Sequence, residues 1–207
     1  MIDPKLKMLQ PSLWDHLDEE DLYRLSFSES PRHELSVEDR TFEQCCFKDI
    51  DFQRIRFSGC DFIDCVFDHC LFFRPNFSAH LMCRVSFRDC KILNADFSNS
   101  VLENVLFENC LMRYVNFSGT EIRTCTFDAT QCTDSYFERM KAKKWVLKDC
   151  DLSKGRIFSC RLEGTDLSST ALRDISIDAN SLKGTVLNEI QALAVVKLLG
   201  VEIKGGL

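Results

Sequence analysis

Hydrophobic residues return along this chain every five positions. Of the 31 fifth positions from Val37 to Leu187, 29 are Val, Ile, Leu, Met or Phe, with Cys132 and Ala142 as the exceptions. Fourteen of the 17 phenylalanines fall in this register. A helix repeats its apolar face at 3.6 residues and a half-buried strand at two, so neither generates the pattern. A second selective position lies two residues before each apolar centre. It holds Cys45, Cys60, Cys65, Cys70, Cys90, Cys110, Cys125, Cys150 and Cys160, and otherwise mostly Val, Ile, Thr, Ser or Ala. The remaining three positions carry most of the Asp, Asn, Ser, Lys, Arg and Glu. Each unit therefore has two inward and three outward positions.

Units such as Ala95-Asp96-Phe97-Ser98-Asn99, Val115-Asn116-Phe117-Ser118-Gly119 and Thr165-Asp166-Leu167-Ser168-Ser169 resemble the consensus A(D/N)LXX of the pentapeptide-repeat family. The resemblance covers about residues 35–187. It implies an all-β fold, a right-handed quadrilateral β-helix of four units per coil, with a short C-terminal α-helix. Coils stacked at ~4.8 Å would make a rod on the order of 37 Å long. Folding the register at twenty residues gives a column Phe47, Phe67, Phe87, Phe107, Phe127 and an opposite column Phe57, Phe77, Phe97, Phe117, Phe137. The register does not slip, which predicts a smooth rod with a filled core and no interior substrate pocket. The expected organisation is an N-terminal cap segment over 1–34, the β-helix over 35–187, and a helix and strand over 188–207 that dimerise or cap.

The inward cysteines behave as small buried hydrophobes. The first twenty residues lack a basic region followed by an apolar run, so no secretory signal is expected, and the chain is read as cytoplasmic with reduced thiols. No stretch approaches the ~18–20 apolar residues of a membrane span. Cys60, Cys65, Cys70 and His69 cluster in sequence, but three cysteines in one inward slot diverge around a coil, so no metal site is expected. The four histidines, His16, His33, His69 and His80, lie in no nucleophile–base constellation and no phosphate-cradling loop is present. The chain is expected to be neither an enzyme nor a cofactor binder.

Formal charge is −6, a poor prior for direct nucleic-acid binding. The charge is uneven: the four columns of units from Arg40 to Glu189 sum to about +2, −5, +2 and 0. The −5 column carries Asp49, Asp68, Asp89, Glu108, Asp128, Asp149, Asp166 and Glu189, against Lys48, Arg88 and Lys148. Carboxylates at ~4.8 Å intervals on a thin rod would mimic duplex phosphates. The alternative is a solvated face whose acids pair with neighbouring cations. The segment Arg139–Trp145 sets Ala142 between bulky Met140 and Trp145, and reads as a basic bulge or a repacked coil.

A solenoid needs its ends covered. Leu13, Trp14, Leu17, Leu22 and Leu25 are candidates at the first coil. At the other end Asn188 is an N-cap and Gly200 a stop for a helix apolar on two sides, with Ile190, Leu193 and Val196 on one and Ala192, Val195 and Leu199 on the other. One side can seal the last coil, and a second copy is the simplest partner for the other. The tail, Ser181-Leu182-Lys183-Gly184 with Gln191-Ala192-Leu193-Ala194 and Leu198-Leu199-Gly200-Val201-Glu202-Ile203, is similar to that of the Qnr-type topoisomerase-protecting subfamily. That resemblance implies a homodimer joined through Ile190, Leu193, Val196, Leu199 and Val201, binding DNA gyrase or topoisomerase IV by DNA mimicry and protecting it from quinolones or related poisons. The uninterrupted register resembles the subfamily's loop-free members. The competing reading is an interaction scaffold with no topoisomerase partner.

Overall fold

The computed structural model describes residues 2–14, 17, 22–198, 200–202 and 204. Every coil is held to the next by parallel pairing twenty residues apart: Phe47 pairs Phe67, Phe67 pairs Phe87 and Phe87 pairs Phe107. The other three columns pair likewise, as Phe42 with Phe62, Phe72 with Ile92 with Met112, and Phe137 with Ile157 with Ile177. The result is a quadrilateral β-helix of roughly eight coils, whose sides are named below by their first consecutive aromatic centres: the Phe42, Phe47, Phe52 and Phe57 faces.

The corners explain the five-residue period. Among the described residues, twenty-two non-glycine positions have positive φ, and all of them sit two positions after an apolar centre, from Arg24 to Asp174. That left-handed conformation is costly for most residues and least so for Asn, Asp and Gly. It is held because it turns each corner N–H along the rod axis: Asp49 N–H donates to the Asp68 carbonyl at 2.9 Å, Asp89 to Glu108 at 3.0 Å and Tyr114 to Thr133 at 3.1 Å. The consensus Asp or Asn also has a local task. The side chains of Asn76, Asp96, Asn116, Asp151 and Asp166 each accept from the backbone N–H two residues on, at 2.8–3.0 Å, the Asx turn that fixes a bend.

Inside, the rings stack. Phe27, Phe47, Phe67, Phe87 and Phe107 lie 4.7–5.1 Å apart and within 9° of parallel, and all are fully buried. The stack breaks at Phe127, which stands edge-on to Phe107 at 78° and to Trp145 at 83°. Trp145, 3% exposed, takes the volume that Ala142 leaves. Its coil stays in step, Ile122 opposite Ala142 and Cys125 opposite Trp145. The Arg139–Trp145 segment is therefore a repacked coil, and the one register irregularity of this ladder falls a coil lower, where Glu103 meets Thr124.

The cysteines do more than fill space. The thiols of Cys45, Cys60, Cys65, Cys70, Cys90, Cys110, Cys150 and Cys160 each point at the carbonyl 23 residues earlier, at 2.7–3.4 Å. Thr120 and Thr130 donate to the same carbonyl in their coils, at 2.8 and 3.0 Å. The inward slot thus selects a small side chain with a donor, which unites Cys and Thr where hydrophobicity alone would not.

The coil pattern reaches below residue 35, into the segment assigned to the cap. Leu22 pairs Phe42 and Phe27 pairs Phe47, while Gln10–Pro11 lies on Leu25–Ser26. Trp14 is the cap: buried, stacked on Phe27 at 4.5 Å, its indole N–H donating to the Glu29 carbonyl at 2.6 Å. Leu17 and Leu25 pack beside it, whereas Leu13 is exposed.

At the other end helix α1 (Glu189–Leu198) closes the rod. Asn188 Oδ1 accepts from the Gln191 N–H and Gln191 Oε1 accepts from the Asn188 N–H, both at 2.9 Å, a reciprocal capping box. Gly200 (φ 77°) ends the helix, donating to the Lys197 carbonyl, and Val201 donates to that of Val196, the bonds of a Schellman motif. The strand expected after it is absent from the described residues: Val201, Glu202 and Lys204 lie in none.

Candidate functional site

The residues expected to meet a partner lie on two surfaces of the rod, the Phe47 face and the C-terminal end. Burial pushes Cys132 up to about 12 and Cys160 up to about 11, and raises Cys125 as well, which disfavours the nucleophilic thiolate there; the hydrogen bond with Cys65 instead lowers Cys45. Cys60, Cys65 and Cys70 diverge onto three different carbonyls, while His69 faces outward.

The acidic surface is the Phe47 face. Its carboxylates divide into three sets. The column just past each apolar centre sets Lys48, Arg88 and Lys148 against Asp68, Glu108 and Asp128, with close contacts from Arg88 to Glu108 at 3.5 Å, from Lys148 to Asp128 at 3.4 Å, and from His69 Nδ1 to Asp68 at 2.8 Å. Asp166 belongs to the inner edge and caps its own turn, which holds its carboxyl below the ordinary range. The corner column holds Asp49, Asp89 and Asp149, exposed at positive φ and, among the described residues, in no ion pair with lysine or arginine. The structure thus brings Asp49, Asp68 and Asp89 together around His69 and sets Asp149 apart. Asp68, His69 and Asp89 place three ligand-type atoms within 4.8 Å of one another. The hydrogen bond that His69 donates to Asp68, with the charges of Asp68, Asp89 and Asp49, raises the proton affinity of His69, so the imidazolium offsets part of this face's charge as pH falls.

The second surface is the end of the rod. Gln191 and Val195 face the last coil and are 9% exposed. Gln191 Nε2 donates to the Leu167 and Thr170 carbonyls at 2.8 and 2.6 Å, and Asn188 Nδ2 to that of Ser168 at 2.7 Å. The seal is therefore polar, made by Gln191 beside Val195; Ala192, read as part of a sealing stripe, is exposed. Ile190 (81%), Leu193 (51%) and Val201 (52%) stand in solvent and Val196 is half-buried. Leu199 lies outside the described residues. An apolar groove of about 510 Å³ runs between α1 and the last coil, with Leu172, Ile175, Ile190, Ala194 and Leu198 on its walls.

The coil geometry has a counterpart among known proteins. A family model described as the pentapeptide repeat region matches residues 60–137. Residues 60–137 are thus a pentapeptide repeat region. Solved structures similar to it include trypsin-treated QnrB1, a plasmid-mediated fluoroquinolone resistance protein, 20% identical over 88% of this chain and 99% of that one, with a TM-score of 0.43. HetL, involved in heterocyst differentiation regulation in the cyanobacterium Nostoc sp. strain PCC 7120, is 11% identical over 83% and 92% of the two chains, TM-score 0.32. A pentapeptide-repeat protein of the Arabidopsis thaliana thylakoid lumen is 13% identical over 64% and 72%, TM-score 0.31. No curated protein sequence matches the chain. At these identities the neighbours share a repeat and assign no partner.

Proposed function

We propose that this pentapeptide-repeat protein binds a type II topoisomerase, DNA gyrase or topoisomerase IV, through its Phe47 face, and shields it from quinolones or related poisons. The observation that carries the reading is the corner column of unneutralised carboxylates, Asp49, Asp89 and Asp149, on a straight stiff rod. A DNA-binding saddle is lined with cations that neutralise phosphates, and carboxylates fixed by stacked coils would meet such cations without ordering cost. The tail supports the same reading, since its sequence resembles that of the Qnr-type subfamily and its exposed Ile190 and Leu193 suit a two-fold contact with a second copy.

The test is a supercoiling and DNA-cleavage assay with purified gyrase, with and without a fluoroquinolone. Protection by the native protein, lost in Asp49→Lys/Asp89→Lys and weakened as salt shortens the ~8–10 Å Debye length, is the expected result. No effect of the native protein in either assay overturns the topoisomerase reading and leaves the scaffold. For the dimer, Ile190→Asp/Leu193→Asp should sediment as a monomer; a native protein that is itself monomeric at micromolar concentration removes the tail from the interface.

A further inference from the structure

The Phe52 face carries a feature that the acidic reading does not use. Three consecutive units on it, Cys70–Arg74, Cys90–Asn94 and Cys110–Tyr114, contain no acid and three cations, in a chain of net charge −6. Their strands pair in register, Leu71 with Lys91 with Leu111 and Phe73 with Leu93 with Arg113. Inward positions alternate with outward ones, so these are the side chains that the face displays. Phe73 is 46% exposed and Tyr114 48% exposed, and Leu71, Leu93 and Leu111 are half-exposed. Arg74 lies over the Phe73 ring at 5.2 Å and Arg113 over the Tyr114 ring at 5.4 Å.

The local fold does not ask for these residues. The rings that stabilise the rod point inward, and Phe73 is one of only two phenylalanines, with Phe158, outside the core register. Arg74 and Tyr114 even occupy left-handed corners, φ 54° and 57°, where Asn, Asp or Gly is cheaper. Aromatic and arginine side chains with a charge-depleted apolar centre are the composition of an interface core. All the coil backbone here is paired above and below, so the face cannot add a strand, and recognition falls to side chains.

We infer that the Phe73–Tyr114 patch is a docking site for an acidic, amphipathic peptide segment of a partner protein, independent of the Phe47 face. The rim selects the occupant. Arg74, Lys91 and Arg113 surround the apolar centre, and among the described residues only Arg113 of the three has an acidic partner, Asp134 at 3.6 Å with the arginine half-exposed. The occupant sets leucine or aromatic side chains on Phe73, Leu93 and Tyr114 and carboxylates on the rim. A basic segment would meet three like charges. At about three coils, roughly 10 Å, the patch suits one short segment rather than a whole domain.

The probe is a fluorescein-labelled twelve-residue peptide alternating Glu with Leu or Phe, titrated into the full-length protein by anisotropy, beside a Lys/Leu counterpart and a Glu/Ser counterpart. Binding of the first, with the other two at least tenfold weaker, is expected. Phe73→Ser and Arg74→Glu/Arg113→Glu should each weaken it about tenfold or more, while Asp49→Lys/Asp89→Lys should not. Side chains on this face lie outside the core, so circular dichroism and urea midpoints should be unchanged. Equal affinity for the three peptides, or loss of binding in the Asp49/Asp89 variant, overturns the proposal. So does a sedimentation shift from dimer to monomer on Arg74→Glu/Arg113→Glu, which would make a second copy the occupant.

Discussion

Gln191 is the residue on which the closed end of the rod turns, and its amide divides into two separable roles. Its oxygen completes the capping box with Asn188, and its nitrogen donates to the Leu167 and Thr170 carbonyls of the last coil. Gln191→Ala removes three side-chain hydrogen bonds. At about 1 kcal/mol net for each, the loss is about 3 kcal/mol. Leu167 keeps the N–H of Thr170 at 2.9 Å, so only the Thr170 carbonyl is stranded, and about 2–3 kcal/mol is the better figure. Gln191→Glu separates the roles. The carboxylate still accepts from the Asn188 N–H, as a capping box allows, but it turns an acceptor toward two carbonyl oxygens in a buried position. It should therefore destabilise the end more than alanine does.

The readout must be local, because in a stacked-coil protein each repeat contacts only its neighbours. Hydrogen exchange followed by mass spectrometry should show amides of residues 181–198 exchanging about 30–160-fold faster in Gln191→Ala, the factor that 2–3 kcal/mol corresponds to. Peptides from residues 81–130 should be unchanged. Urea unfolding should show the same end loosening before the rod. If Gln191→Glu matches the native protein, the nitrogen donations do not hold the helix and the reasoning fails. Uniformly faster exchange along the whole chain would refute it equally, since that would make the rod one cooperative unit.

Phe87→Ala removes a fully buried ring stacked at 4.7 and 4.9 Å between Phe67 and Phe107; a loss of about 3–5 kcal/mol is expected in urea melts, with Phe87→Leu losing markedly less. Cys110→Thr should be near neutral, since Thr130 in the next coil makes the same bond to the carbonyl below, whereas Cys110→Ala should lose about 1 kcal/mol by thermal or urea unfolding. His80 is buried with Nδ1 unpartnered among the described residues, and burial lowers its pKa. The unfolded chain then binds a proton that the folded chain resists, so stability should fall as pH drops below about 6.5 toward the depressed folded value; His80→Leu should flatten that part of the urea-midpoint profile. Loss of the slope's dependence on His80 would assign it to other groups.

The five-residue period was sufficient to place the core because burial is a property of position within a unit. A residue two after an apolar centre is a corner whatever its identity, which is why Arg74, Ala79 and Tyr114 adopt the same left-handed φ as Asn99. The inner boundary was harder to read. Leu22 and Phe27 obey the register, but Arg32 interrupts it, with Pro31 buried beside it, so the first coil was hidden behind one irregular unit. Gln191 was invisible for a different reason. A polar side chain in an apolar tail becomes a seal only when the carbonyls of Leu167 and Thr170, more than twenty residues away, are known to end there.

The same distinction limits what a charge column can say about a surface. Net charge counts side chains within a unit, whereas neutralisation depends on the unit twenty residues away. Arg84 binds Asp64 with two bonds of 2.7 Å across one coil step. Burial pushes the Asp64 carboxyl up, but the hydrogen bonds from Arg84 and the Lys5 N–H outweigh it and hold it below its ordinary value. On the Phe47 face the column Lys48, Asp68, Arg88, Glu108, Asp128, Lys148 balances three cations against three acids, so it presents little net field. The corner column has no such balance at Asp49, Asp89 and Asp149, and on the Phe52 face Arg74 and Lys91 have no ion pair among the described residues while Arg113 meets Asp134 at 3.6 Å. A rod built from identical coils can thus carry an anionic edge and a cationic apolar patch on adjacent faces without strain. What separates them is the identity of the residue one coil above, since the backbone beneath both is the same.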